Sequence, residues 1–272
     1  MRRITTIIAG SDYGQSYTML QMVQLFGRRI RPGVQIGIPE GVTMEVIQRD
    51  PMLARNLVEE ALDREIRRWP FAVKPGFFML NLEPVDNWSF EDTVNNGFDK
   101  YDERAVQWMI DVLNEYDRSI PTSLYRVPHV LRRREMTPTE RRRILTAKHP
   151  LKACSAVTTN HYVDQQTIID DWDQETREMH KRRISTALDL VSEIAGDRPN
   201  MPMIWTGWID RPSLRDHFEI LFEALKERPH ITDLCVWMNA EGEDPWARRK
   251  VDIQMARLES IGDLINDWIK AD

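Results

Sequence analysis

Residues 76–88, GFFMLNLEPVDNW, contain the pattern from which the architecture is read. Phe77, Phe78, Met79, Leu80 and Leu82 are apolar on both faces of an extended segment, as in a parallel strand covered by helices rather than a half-wet hairpin. Pro84 then breaks the run. Ser89 with Asp92 three residues on resembles a capping box, so a helix is expected directly after the stretch. Strand, short loop and helix follow one another without a hairpin.

The same unit recurs outward in both directions. Strand-like runs cover Arg3 to Gly10, Val34 to Ile38, Gly76 to Glu83, Ile120 to Val127, Lys152 to Thr158, Pro202 to Trp208 and Thr232 to Met238. Amphipathic segments lie between them. The clearest carries Val94, Phe98, Tyr101, Ala105, Trp108, Met109, Val112, Leu113 and Tyr116 at three- and four-residue spacing. Thr137-Pro-Thr-Glu140 and Ser213-Leu-Arg-Asp216 mark further helix starts. Asp50-Pro51 divides the helical segment from Thr43 to Trp69. A long helix from about Asp164 to Ala195 is expected to stop at Gly196, and a last one to run from Pro245 to Lys270.

Repeated strand then helix gives parallel strands with right-handed crossovers, closed as a barrel or open as a doubly wound sheet. Because no glycine-rich phosphate loop follows the first strand and the element count approaches eight pairs, closure is the reading adopted. The expectation is an α/β fold, a single (β/α)8 TIM-type barrel spanning residues 1–272 as one domain. Seven strands are legible. Either the eighth is hidden near the basic segment Arg132 to Arg143, or the barrel is irregular.

Composition agrees with one globular domain: 272 residues, 42% hydrophobic and 29% charged. A net charge of -6 argues against general nucleic-acid binding, which needs a basic face to neutralise phosphates. Cys154 and Cys235 lie in apolar segments as buried hydrophobes and form no disulfide framework. The N-terminal apolar run is too short for a signal or a membrane span, so a cytoplasmic, reducing location is expected. The sequence lacks a dinucleotide fingerprint, a P-loop, a G-x-S-x-G elbow and an H-E-x-x-H helix, and neither a cofactor nor a resident metal is expected.

In such barrels function sits at the carboxyl ends of the strands. Strand alternation places Asn81 and Glu83 on one face, and Cys235, Trp237, Asn239 and Glu241 on another, if the last strand extends that far. Carboxylates and amides over aromatic walls suit a sugar, whose C–H faces stack on rings and whose hydroxyls need polar partners. Glu83 is the acid candidate, because its approach through an apolar strand would desolvate it and raise its pKa. Glu241 is the candidate second carboxylate. Asp12, Tyr125, His161, Trp205, Trp237 and Asn239 are expected to line the pocket, with Asn81 positioning substrate or the acid.

The Asn81-Leu-Glu83-Pro84 ending resembles the strand-terminal acid motifs of barrel-type glycoside hydrolases. MPMIWTGW, followed by a helix and ITDLCVWMNAE, is similar to the last two strands of hyaluronidase-like barrels, where an apolar strand ends in tryptophan. The resemblance implies a hydrolase acting on a carbohydrate by carboxylate acid/base chemistry. Asn81 departs from the Asp-x-Glu pair of that family, and Leu82 separates it from the Asn-Glu motif of the other large barrel clan. Two further classes therefore stay open. One is a non-catalytic barrel that binds glycan or serves in an assembly. The other is a metal-dependent isomerase or endonuclease-like barrel using Glu83, His161, Asp210 and Glu241.

Overall fold

The computed structural model describes residues 2–10, 12–27, 30–69, 74–81, 103–124, 137–146, 153–162, 173–207, 214–240 and 244–271. Within them, strands and helices alternate: β1 Arg3–Gly10, α1 Asp12–Phe26, β2 Ile30–Ile36, α2 Met44–Arg49, α3 Pro51–Arg67, β3 Phe77–Leu80, α4 Glu103–Tyr116 and β4 Thr122–Leu124. The second half continues with α5 Pro138–Thr146, β5 Val157–Tyr162, α6 Gln174–Ala195, β6 Asn200–Trp205, α7 Leu214–Lys226, β7 Asp233–Ala240, α8 Asp244–Ser260 and α9 Gly262–Lys270.

All strand pairs are parallel, in the order β4-β3-β2-β1-β7-β6-β5. The two outer strands of that order meet across a seam. Ala156 donates its N–H to Thr122 O at 3.0 Å, and the Thr158 hydroxyl donates to Leu124 O at 2.9 Å. The Ser155 hydroxyl accepts the Thr122 N–H at 2.7 Å and donates to Asn114 Oδ1 at 3.0 Å. Side-chain hydroxyls thus satisfy backbone groups that an open edge would leave exposed. Among the described residues the result is a nearly closed seven-stranded barrel surrounded by helices, as the alternation of elements implies.

The barrel buries two apolar layers. Between strands and helices lies a large outer core that includes Ile4, Val34, Phe78, Leu80, Val157, Ile204 and Val236. Inside the barrel Ile7, Phe77, Met79, Ala156, Met201, Met203 and Cys235 fill the axis, with Trp205 and Trp237 packed against them. Gly33 makes that filling possible: a Cβ there would lie 2.6 Å from Ile7 Cγ1 and 3.3 Å from Thr6 O. Any larger residue would drive Ile7 off the axis. At the opposite end the buried Arg2 donates to Trp268 O and lies over the Trp268 ring at 4.9 Å, tying the first strand to α9.

Local signals explain most boundaries. Asp50 accepts the Leu53 N–H at 3.0 Å and Pro51 opens α3, so the expected break is real. Gly196, at φ 59°, ends α6 where expected. The sixth strand, Asn200–Trp205, and the seventh, Asp233–Ala240, are shifted by one to three residues from the expected bounds, and three other expectations depart further. The fifth strand is Val157–Tyr162, not Lys152 to Thr158, because Ser155 and Ala156 are taken up by the seam and the polar residues after them continue the strand. The second begins at Ile30 and ends at Ile36. The last helix is two, α8 and α9, broken at Ile261, with Gly262 set against Leu25 of α1.

Among the described residues no helix is long and apolar enough to cross a membrane. Both cysteines are buried and free. Burial pushes the Cys154 thiol up to about 12 and raises that of Cys235 as well.

Candidate functional site

The carboxyl end of the barrel has an aromatic floor. Met203 pairs with Cys235 across β6 and β7, so two residues further on Trp205 and Trp237 fall side by side on the inner face. Their rings meet edge to face, with centroids 5.2 Å apart and planes at 87°. Both are partly exposed, unlike the sealed methionine layer beneath them.

One side chain of α8 organises this floor. Gln254 is fully buried. Its Oε1 accepts the Trp205 indole N–H at 2.8 Å and the Asn239 backbone N–H at 2.9 Å. Its Nε2 donates to Asn239 O at 2.7 Å and to Lys250 O at 2.9 Å. The amide therefore fixes the end of β7 and the plane of Trp205 together. Sequence reasoning missed it. The available signal was a single amide within the apolar stripe Ala247, Val251, Met255 and Leu258, where an uncharged polar residue must be satisfied by something specific.

On the other side, the Trp237 indole N–H points to Gln35 Oε1 at 3.4 Å, and Asn81 donates its backbone N–H to Ile36 O at 2.7 Å. The Asn81 and Asn239 side chains are buried at the ends of β3 and β7. Beside Asn81 the end of β2 and one face of α3 enclose a cleft of about 700 Å³. Gln35 and Gly37 form its wall on the barrel side, and Glu40, Leu57, Glu60 and Arg64 lie further out.

The structure thus brings Trp205, Asn239 and Gln254 into one hydrogen-bonded group, with Trp237 set against the Trp205 ring and bonded to Gln35 of β2. Asp12 is the first residue of α1, directly after β1 and hence at the same end of the barrel. His161 is buried, and the register that pairs it with Ile204 sets it on the outer face of β5, toward the helices. Glu83, Tyr125 and Glu241 lie outside the described residues, as does Asp210. Among the described residues, no three His, Cys, Asp or Glu side chains gather as a metal site.

With this geometry the chain has the fold of a TIM-type barrel, and a solved structure shares it. Over 97% of this chain and 99% of the other, bee venom hyaluronidase superposes with a TM-score of 0.59 at 11% sequence identity. A β-D-glucuronidase from Dictyoglomus thermophilum gives 0.47 at 10% identity, over 89% of this chain and 45% of its own. A GH113 β-1,4-mannanase gives 0.39 at 11% identity, over 95% and 99% of the two chains. At such identities the likeness concerns the fold. No family model and no curated protein sequence matches the chain.

Proposed function

We propose that the protein binds a carbohydrate across the carboxyl end of the barrel and cleaves it by carboxylate acid/base chemistry. The observation that carries the reading is the edge-to-face pair Trp205 and Trp237, partly open, with Trp205 held by Gln254 and Trp237 facing Gln35. Two rings at right angles offer one sugar ring a stacking face and a side wall, and the surrounding amides suit its hydroxyls. The fold shared with bee venom hyaluronidase is compatible with this reading.

Glu83 follows Asn81 by two residues and Glu241 follows Asn239 by two, so in extended chain each carboxylate would share a face with its amide. Glu83 serves as the general acid, with Glu241 as the second carboxylate, Asn81 and Asn239 as hydroxyl partners, and Asp12 and Tyr125 at the rim. A glycan-binding barrel without turnover is the second reading. Asn81, standing where the hyaluronidase-like pattern has an acidic residue, favours it.

Binding of an oligosaccharide panel, followed by intrinsic tryptophan fluorescence and calorimetry, tests the shared part of both readings. Trp237→Leu is expected to weaken the bound member roughly tenfold, whereas Trp237→Phe keeps most of the affinity. Equal binding by the folded Leu variant would remove the aromatic floor from the site.

A further inference from the structure

We infer that Gln35 is a ligand-contacting residue: its side-chain amide nitrogen donates to an oxygen of the sugar that lies on Trp237, and Gly37 leaves the space by which that sugar reaches it. This rests on the carbohydrate reading above and adds to it a specific hydrogen-bond donor. The Gln35 side chain belongs to the barrel interior. Strand β2 pairs Gly33 with Phe77 and Gln35 with Met79, and Phe77 and Met79 both fill the axis. The ladder continues past the strand ends, where Asn81 donates its N–H to Ile36 O at 2.7 Å. Gly37 therefore takes the next inward position, at the carboxyl end of β2.

The hydrogen bonds of the aromatic floor decide what Gln35 can do. Trp205 gives its indole N–H to Gln254 at 2.8 Å, and Trp237 directs its own to Gln35 Oε1 at 3.4 Å. With that donor occupied, each ring offers a ligand its π surface alone. An indole N–H can only donate, so the Gln35 amide must turn its oxygen to Trp237 and its nitrogen away from it. That nitrogen carries two N–H donors and has no hydrogen-bond partner among the described residues, on a side chain that is partly exposed. Open donors beside an aromatic face match what a sugar needs, since its C–H face covers the indole while its hydroxyl and ring oxygens accept. Gly37 is exposed and has no side chain to close the approach: among the described residues a Cβ there would meet only Asn81 O, at 3.7 Å.

The test titrates the whole chain calorimetrically with β-1,4-linked tetrasaccharides of glucose, mannose and N-acetylglucosamine, near neutral pH where a glutamate is ionised. Gln35→Glu keeps an oxygen for the Trp237 N–H and removes the donors. Tm and the tryptophan emission of the free protein should therefore stay at parental values, while the bound tetrasaccharide weakens by roughly threefold to tenfold. Gly37→Ala should also keep Tm and weaken binding by about threefold or more, because its methyl has room in the protein and takes room from the ligand. Parental affinity in either variant overturns the inference and leaves the carbohydrate reading intact. So does a loss of affinity in Gln35→Glu accompanied by shifted emission of the free protein, which would make Gln35 a support for Trp237 and nothing more. If Gln35→Glu fails to fold, Gly37→Ala decides alone. If no tetrasaccharide binds, both readings fall together.

Discussion

The Trp205 indole N–H ends on Gln254 Oε1, 2.8 Å away, and that oxygen is shared with the Asn239 N–H. A helix on the outside of the barrel thereby sets the orientation of a ring on its inner face. Gln254→Leu would leave three buried groups without their present partner: the indole N–H, and the N–H and carbonyl of Asn239. At about 1–3 kcal/mol for each buried group left unsatisfied, the loss is expected to be about 3 kcal/mol or more. That corresponds to a fall in Tm of roughly 6–12 °C. Denaturant titration checks it, and a change below about 0.5 kcal/mol would show the network to be dispensable.

Acid should loosen the α6–α7 interface. His180 Nε2 and His217 Nδ1 lie 2.8 Å apart in buried surroundings, so one proton sits between the rings. Burial, and secondarily Arg183, push His180 down to about 4 from 6.5. The unfolded chain therefore binds the extra proton first. Stability is full above about pH 6.5 and falls as pH drops toward 4, by an amount on the order of 3 kcal/mol from this group. His180→Gln, whose amide can still reach His217, should show a shallower decline over the same window. Parallel pH profiles for the two proteins would contradict the assignment.

Both thiols should be silent in the folded protein. Burial holds Cys154 and Cys235 protonated, and only the thiolate reacts. An Ellman-type reagent should label neither until denaturant is added and then both. Labelling of either under native conditions would mean that the barrel opens at that point.

Gly33→Ala asks whether Ile7 really occupies the axis. The added methyl would sit 2.6 Å from Ile7 Cγ1, in a layer with little room to yield. A destabilisation of roughly 1–3 kcal/mol is expected, and it should be smaller in an Ile7→Ala background, where the contacting Cγ1 is gone. Lack of rescue in the double variant would place the clash elsewhere.

The sequence is most legible where residues are apolar on both faces. RITTIIAG and the last strand show this pattern, and the first was read with the boundaries observed. Caps were equally readable, as Asp50 and Gly196 show. The polar run TTNHY concealed β5, because seam residues before it look more strand-like than the strand itself. α1 went unread: Met19, Met22 and Phe26 are buried, but Leu20 and Val23 are exposed, so no single apolar stripe stands out. In the candidate site, alternation alone brought out Trp237 and Asn239, since period-two geometry is local. Gln254 escaped because its role depends on two strands far away in sequence.

The acid role of Glu83 is the claim on which the catalytic reading stands. The most direct measurement compares turnover of a bound oligosaccharide by the parent and by Glu83→Gln, with affinity and Tm recorded for both. The account predicts a fall in kcat of about 10² to 10⁴-fold, with affinity and Tm little changed. A Glu83→Gln protein that turns over the sugar at the parental rate would contradict it.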